Sequence, residues 1–402
     1  MAYTLPIGIV LSGTAPAMTL MSGAMLAFAE QDIEFEVIST AGVGGLIGML
    51  YLAAKGKTRE EALLSLPDLF VSDWIYRFLP VNFKVFYKYG PYATAFYHMR
   101  KSLPKFDLKP GDSNISPLRR FANDWMDLWA TALTPPSLGT SSNALMSHVP
   151  LIDDLVDFNL LKGSQTKFYL NAFSLHDRRL KLYDNQTVTS DVYNGAQAMF
   201  MLFPPVTAGT DLLVTGASHD PTALQAIWTK QRDLWGVLAL EPFGKHFWRA
   251  PTGVYDAFQL MLMNPIASLQ EIVFGLYGQT ERLMSTVRQA GLTLPPLYMM
   301  KVVLNPDSTR LLNWSYENAV ALQSIGKTAA EPIADILRGR PDRTTLESRL
   351  ASYRYAGGLL DEHPRPRQVI RSIFDPLFSN FELFATSINT ERHGYGRGTV
   401  TR

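Results

Sequence analysis

Two short stretches carry residue types suited to acyl-transfer chemistry. The first runs from Ile33 to Leu52, IEFEVISTAGVGGLIGMLYL. Ile33, Phe35 and Val37 alternate with Glu34 and Glu36, which predicts a strand. Small residues follow, Ser39-Thr40-Ala41-Gly42-Val43-Gly44-Gly45, and then the apolar run Leu46–Tyr51, which reads as a helix entering a core. Strand, tight turn and buried helix have the shape of a nucleophile elbow, in which the residue at the strained apex attacks. The apex here is Gly42, and glycine has nothing to attack with. The second stretch is Thr215-Gly216-Ala217-Ser218-His219-Asp220-Pro221, where His219 and Asp220 could form an acid–base pair. Among nearby hydroxyls, Ser39 falls at the strand end, facing the core or the ladder, and Thr40 and Thr14 lie off the apex. Each of these polar residues also reads as an ordinary loop or strand residue. The other histidines are scattered without a His-x-x-x-His spacing. With no cysteine there is no thiolate nucleophile, disulfide or thiolate metal site. No metal and no cofactor is expected.

The elements that must position these stretches can be read along the chain. Ile7–Leu11 suits a central parallel strand, Ser12–Pro16 a turn, and Met18–Glu30 an apolar helix. Leu5 to Ala29 is uncharged and about as long as a bilayer span. It holds Pro6, Gly8, Gly13, Pro16 and Gly23 and has no basic start, so it reads as strand, loop and helix. Lys55–Leu69 continues as a helix with Thr58 as its cap before Glu60 and Glu61. Phe70 to Phe106 is dense in aromatics with interleaved Lys84, Lys88, Arg100, Lys101 and Lys105. It is read as a cap over an acyl pocket or a lipid-touching face, against the plainer reading of an aromatic core. Asn114–Trp129 reads as a helix with Pro117 in its first turn. Lys167–Phe173 and Arg179–Tyr183 read as strands with a turn at Asp184-Asn185, and Gly236–Leu240 as the last buried strand, followed by helices. Arg392–Arg402 reads as a flexible tail.

The elbow resembles that of the patatin-like phospholipase family, which shows patterns such as D-V-I-S-G-T-S-A-G-A-L. Glu36 to Leu46, E-V-I-S-T-A-G-V-G-G-L, matches it without a gap and puts Gly42 at the family's serine. Leu155-Val156-Asp157-Phe158-Asn159 is similar to a second stretch of active members, and Phe203-Pro204-Pro205-Val206 to a third. Thr215 to Leu224 then aligns with the family's D-G-G-L-Y-S-N-T-P-L, placing Thr215 at the aspartate base and Pro221 at an asparagine. The family's oxyanion turn of three glycines corresponds to Gly13, Thr14 and Ala15, followed by Pro16, which has no N–H to donate. Glu271–Arg288 and Asn313–Leu337 resemble the C-terminal region of one subgroup. The resemblance implies a three-layer α/β/α sandwich with a mainly parallel sheet. It implies residues 1–240 as the core, with an aromatic-rich cap segment over 70–130. A helical C-terminal region spans 241–402, flexible from about 392.

Composition narrows the class. With 402 residues, 47% of them apolar, the chain can bury a large core. A formal net charge of +1 argues against nucleic acid as the main partner. Two readings of function stay open. One is a protein that has lost serine-dependent ester hydrolysis and binds a lipid or acyl chain, a membrane or lipid-inclusion surface, or an active patatin-like relative in a homo- or hetero-oligomer. The other is a lipid acyl hydrolase with displaced chemistry, using His219, Asp220 or Thr40. The expected location is cytoplasmic, with a membrane-peripheral option.

Overall fold

The computed structural model describes residues 6–13, 18–106, 116–139, 142–230, 234–243, 249–289, 298–303, 311, 313–339, 341–342, 344–346 and 348–349. Its strands are β1 (Ile7–Leu11), β2 (Val37–Ala41), β3 (Tyr87–Lys88), β4 (Met146–Ser147), β5 (Lys167–Ser174), β6 (Arg179–Asp184), β7 (Val206–Ala208), β8 (Asp211–Thr215), β9 (Gly236–Glu241) and β10 (Tyr298–Val303). The main sheet has the order β10-β9-β1-β2-β5-β8-β7, with β6 also pairing β5. From β10 through β5 every pairing is parallel, while β6, β7 and β8 join antiparallel.

Both faces of β1, β2 and β9 are buried, as a layer between helices must be. Ile9 and Leu11 of β1 point into the larger core with α1 (Met18–Glu30) and α2 (Gly44–Ala53). Val10 points the other way, to Leu224, Ile227 and Val237. The fold is therefore α/β with three layers, as the sequence implies. α1 has the predicted bounds, and α2 buries nearly its whole surface. Thr58 caps the helix Arg59–Leu64 in a reciprocal box with Glu61. That helix is shorter than predicted, because Pro67 turns the chain into a 3-10 segment at Leu66–Leu69.

Two expectations are corrected. The strand leading to the elbow starts at Val37, not Ile33, because its ladder to β1 opens at Gly8↔Val37. Ser39 is therefore mid-strand. Gly236–Glu241 is not the last strand, since β10 follows and pairs alongside it in parallel. The helical C-terminal region thus also supplies one strand, and its helix Tyr316–Leu337 lies against α1. The expected tail falls outside the described residues.

The aromatic segment divides. Phe70, Phe83, Tyr87 and Tyr97 are buried, whereas Trp74, Phe78, Tyr92 and Phe106 are exposed. Beneath it lies a charged layer. Lys84 Nζ sits 2.6 Å from Asp124 Oδ1 and donates to the Phe70 carbonyl at 2.7 Å. Asp124 Oδ2 accepts the Ser72 amide at 2.6 Å. Burial lowers the Lys84 pKa, and the Asp124 carboxylate pulls it back up. Asp124→Ala would leave a buried ammonium without its counter-ion and an amide without its acceptor. We expect a loss of about 3–5 kcal/mol, read from the urea midpoint at constant slope.

Candidate functional site

The site forms where one edge of β5 changes partner. Along Tyr169–Ser174 one edge of β5 is occupied by β6. The other edge pairs β2 as far as Asn171, opposite Ala41, and then β8 from Ala172, opposite Thr215. Consecutive residues of β5 therefore bring the end of β2 to the end of β8, and with them Gly42 to Thr215. β1 lies on the far side of β2, with Leu11 opposite Thr40, so Gly13 arrives at the same place. This is the carboxyl end of the parallel strands, where ligands bind in open α/β sheets.

Small residues let the three loop tips meet. A Cβ on Gly13 would sit 2.4 Å from the Ala217 Cβ, and one on Gly44 would sit 2.4 Å from the Leu11 carbonyl oxygen. Ala41, Ala217 and Ala223 pack together between them. Gly42 has φ +46°, the left-handed elbow conformation that glycine adopts at no steric cost. Its ideal Cβ position is 3.1 Å from the Gly13 Cα.

Gly13, Gly42 and Thr215 line one cavity of about 220 Å³. The rest of its lining is largely apolar and includes Phe86, Met199, Phe203, Leu262, Met263 and Trp314. A second lobe of about 130 Å³ shares Phe86, Gln197, Phe203 and Trp314 and reaches Met18, Leu46 and Tyr193. Gln197 sits at the junction, and its buried Nε2 has no hydrogen-bond partner among the described residues. A cleft of about 240 Å³ at the opposite end of β1 and β2, bordered by Asp32, Glu34, Glu36 and Gln165, is more polar and shares no residue with either lobe.

The candidate residues are placed as follows. Thr215 lines the cavity, and its hydroxyl accepts the Ala217 amide at 3.3 Å. The Gly13 amide donates to the Pro221 carbonyl at 3.1 Å, so this N–H is already engaged. Thr14, Ala15 and Pro16 lie outside the described residues. Thr40 Oγ1 donates to the Tyr169 carbonyl at 2.8 Å, and Ser39 Oγ to the Ala223 carbonyl at 2.5 Å. Both hydroxyls serve the sheet and its neighbouring loop. His219 is exposed, stacks on Phe173 at 3.9 Å between centroids, and has Nδ1 2.9 Å from Ser218 Oγ. Its partial burial lowers its pKa. Asp220 faces elsewhere. Its carboxylate accepts Thr222 Oγ1 at 2.7 Å and the amides of Leu224 and Gln225, capping the helix Leu224–Lys230. His219 and Asp220 thus make no hydrogen bond to each other through their side chains, and neither lines the cavity. Asp157, in the second matched stretch, caps the helix Phe158–Gly163.

No protein-family model matches this chain, and no curated protein matches its sequence. Among solved structures it is similar to VipD from Legionella pneumophila, with a TM-score of 0.32 and 10% identity, covering 99% of this chain and 89% of that one. A likeness that weak carries no argument about this chain's chemistry.

Residues missed in the sequence complete the site. His148 lines the second lobe, stacks on Phe203 at 4.9 Å, and has Nε2 3.0 Å from the Pro204 carbonyl. A carbonyl only accepts, so Nε2 carries the proton, and burial holds the ring below the usual imidazole pKa. Phe258, Leu262 and Trp314 reach the cavity from the C-terminal region. The Phe-Pro-Pro signal marked Phe203, whereas nothing local marks His148 or Trp314.

Proposed function

We propose that this chain is a patatin-like protein without the serine–aspartate pair, which binds an acyl chain in the cavity under its elbow. The observation that carries the reading is that Gly13, Gly42 and Thr215 converge on one largely apolar cavity. In the family's arrangement those positions supply oxyanion donor, nucleophile and base. Here the apex has no side chain, the threonine is neutral, and the Gly13 amide is bonded to Pro221. What the site retains is a preformed apolar space with few polar groups, the usual make-up of a small-molecule pocket. Among those groups the unpartnered Gln197 amide is placed to donate to an acyl carbonyl or carboxylate.

Extraction of the purified protein followed by mass spectrometry, with titration of a fluorescent fatty acid, tests this. Saturable binding is expected, with no labelling by a fluorophosphonate probe. Leu262→Trp should weaken fatty-acid binding about ten-fold, because filling the space of two methylenes forfeits about 0.8 kcal/mol each. A wild-type protein that neither carries nor binds an acyl ligand would end the reading. Labelling by the probe would favour an enzyme with displaced chemistry.

A further inference from the structure

The helix Ser116–Leu133 is inside out. Its buried residues are Arg120, Asn123, Asp124, Asp127, Ala130 and Thr131. Several of its largest apolar side chains face outward, with Leu118 70%, Trp129 55% and Leu133 68% exposed, while Phe121 and Leu128 are half-buried. Trp125, also exposed, stacks on Phe121 and meets Trp129 edge-on. An amphipathic helix on a water-facing surface turns the opposite way. The inward polar face is held by ion pairs, Lys84–Asp124, Lys105–Asp127 and Arg120–Asp68, whose desolvation opposes this arrangement. The neighbouring helix Asp73–Phe78 packs through Ile75 near Phe121 and Leu128. It adds Trp74 and Phe78, 73% and 84% exposed.

Large exposed apolar side chains gathered on two helices that pack together mark an interaction site, and three features commit it to one occupant. First, its large members include three tryptophans, the side chain suited to the boundary between water and acyl chains. Second, no carboxylate of the 116–133 helix projects from the outward side, since its acids Asp124 and Asp127 are both buried. On the neighbouring helix Arg77 is exposed beside Trp74 and Phe78, and the Asp73 carboxylate is engaged by the Glu317 amide. Third, the chain runs on from Phe78 through exposed Leu79 to Val81, which is both exposed and part of the cavity lining. We infer that the outward face of Ser116–Leu133, with Trp74 and Phe78, docks on an anionic lipid bilayer beside the cavity mouth. No helix among the described residues is long and apolar enough to cross a membrane, and an interfacial attachment needs none. Passage of an acyl chain past Val81 rests on the acyl-binding reading, whereas the docking stands on the helix itself.

The full chain is sedimented with vesicles of phosphatidylcholine alone and of phosphatidylcholine with phosphatidylserine. Binding to the anionic vesicles is expected to be at least about ten-fold tighter than to the neutral ones. Trp125→Ser with Trp129→Ser, and separately Trp74→Ser with Phe78→Ser, should each lower partitioning at least about ten-fold. Binding of free fluorescent fatty acid should persist in both variants and report an intact fold. Docking by a protein that binds no free fatty acid would support the surface while removing the acyl reading. Failure of the wild type to sediment with either vesicle, or equal partitioning of wild type and both variants, would overturn the proposal. So would wild-type self-association, lost in the same variants, without vesicle binding, which would assign the face to a second copy.

Discussion

Gly326→Leu is expected to leave little folded protein, and Gly326→Ala to weaken the fold by about 1–3 kcal/mol or more. A Cβ on Gly326 would lie 1.9 Å from the Leu20 carbonyl oxygen of α1, and one on Gly23 of α1 would lie 1.9 Å from the Gln323 carbonyl oxygen. The two helices therefore touch backbone to backbone at reciprocal glycines. The crossing is tied on either side. Gln323 Nε2 donates to Ser22 Oγ at 3.1 Å and to the Leu63 carbonyl at 2.8 Å, and Lys327 pairs with Glu30 at 2.7 Å. A side chain cannot enter without prying α1 from Tyr316–Leu337, and α1 is buried along nearly its whole length. For leucine that separation competes with a total stability of about 5–15 kcal/mol. Urea titration followed by circular dichroism measures the alanine variant. A midpoint and slope equal to wild type would mean that the helices do not cross this closely. Soluble yield and the far-ultraviolet spectrum report on the leucine variant.

The glycine crossing also shows where sequence reading reaches and where it stops. Local patterns are legible. The apolar stretch Met18–Glu30 gives α1 with its bounds, and Thr58 with Glu61 gives a cap that the structure closes in both directions. The small residues around Gly42 give the elbow, because only a tight turn needs them at that density. What depends on distant partners is not legible. The alternation from Ile33 has the strand period, yet pairing begins only where β1 supplies a neighbour, at Val37. The periodicity of Ser116–Leu133 announces a two-faced helix without saying which face is inward. That is decided by Lys84, Lys105 and Asp68, which arrive from other segments to pair with its charges. The cavity follows the same rule. Its Gly13, Gly42 and Thr215 side is marked by motifs, whereas Trp314 and Leu262 reach it from far along the chain. His219-Asp220 looked like a functional pair because the residues are adjacent. In the structure one stacks on Phe173 and the other caps a helix.

Gly42→Ser combined with Thr215→Asp is expected to give a protein that labels with a fluorophosphonate and turns over a short p-nitrophenyl ester slowly, where the unmodified chain is expected to do neither. Neither change should suffice alone. Serine at position 42 places its Oγ at the elbow apex, but Thr215 has no basic oxygen to take its proton. Losing the nucleophile of a Ser-His-Asp protease costs about a million-fold, so a gain from baseline is easily measured. Aspartate at position 215 can keep the Ala217 amide with one carboxylate oxygen and turn the other to the cavity, as the threonine hydroxyl already accepts that amide. The serine is strained, because φ +46° suits glycine and its Cβ would press on Gly13 at 3.1 Å. Turnover should stay weak for a second reason. The Gly13 amide is bonded to the Pro221 carbonyl, and each missing oxyanion donor typically costs about a hundred- to a thousand-fold. Pro221→Asn, which introduces the residue of the patatin-like pattern but leaves that carbonyl in place, should help less than Thr14→Gly with Ala15→Gly and Pro16→Ala. If the unmodified protein hydrolyses the ester and Thr215→Ala leaves the rate unchanged, the loss of chemistry is refuted. The residue to substitute next is then His148, whose neutral ring borders the second lobe, ahead of His219, which lies outside both.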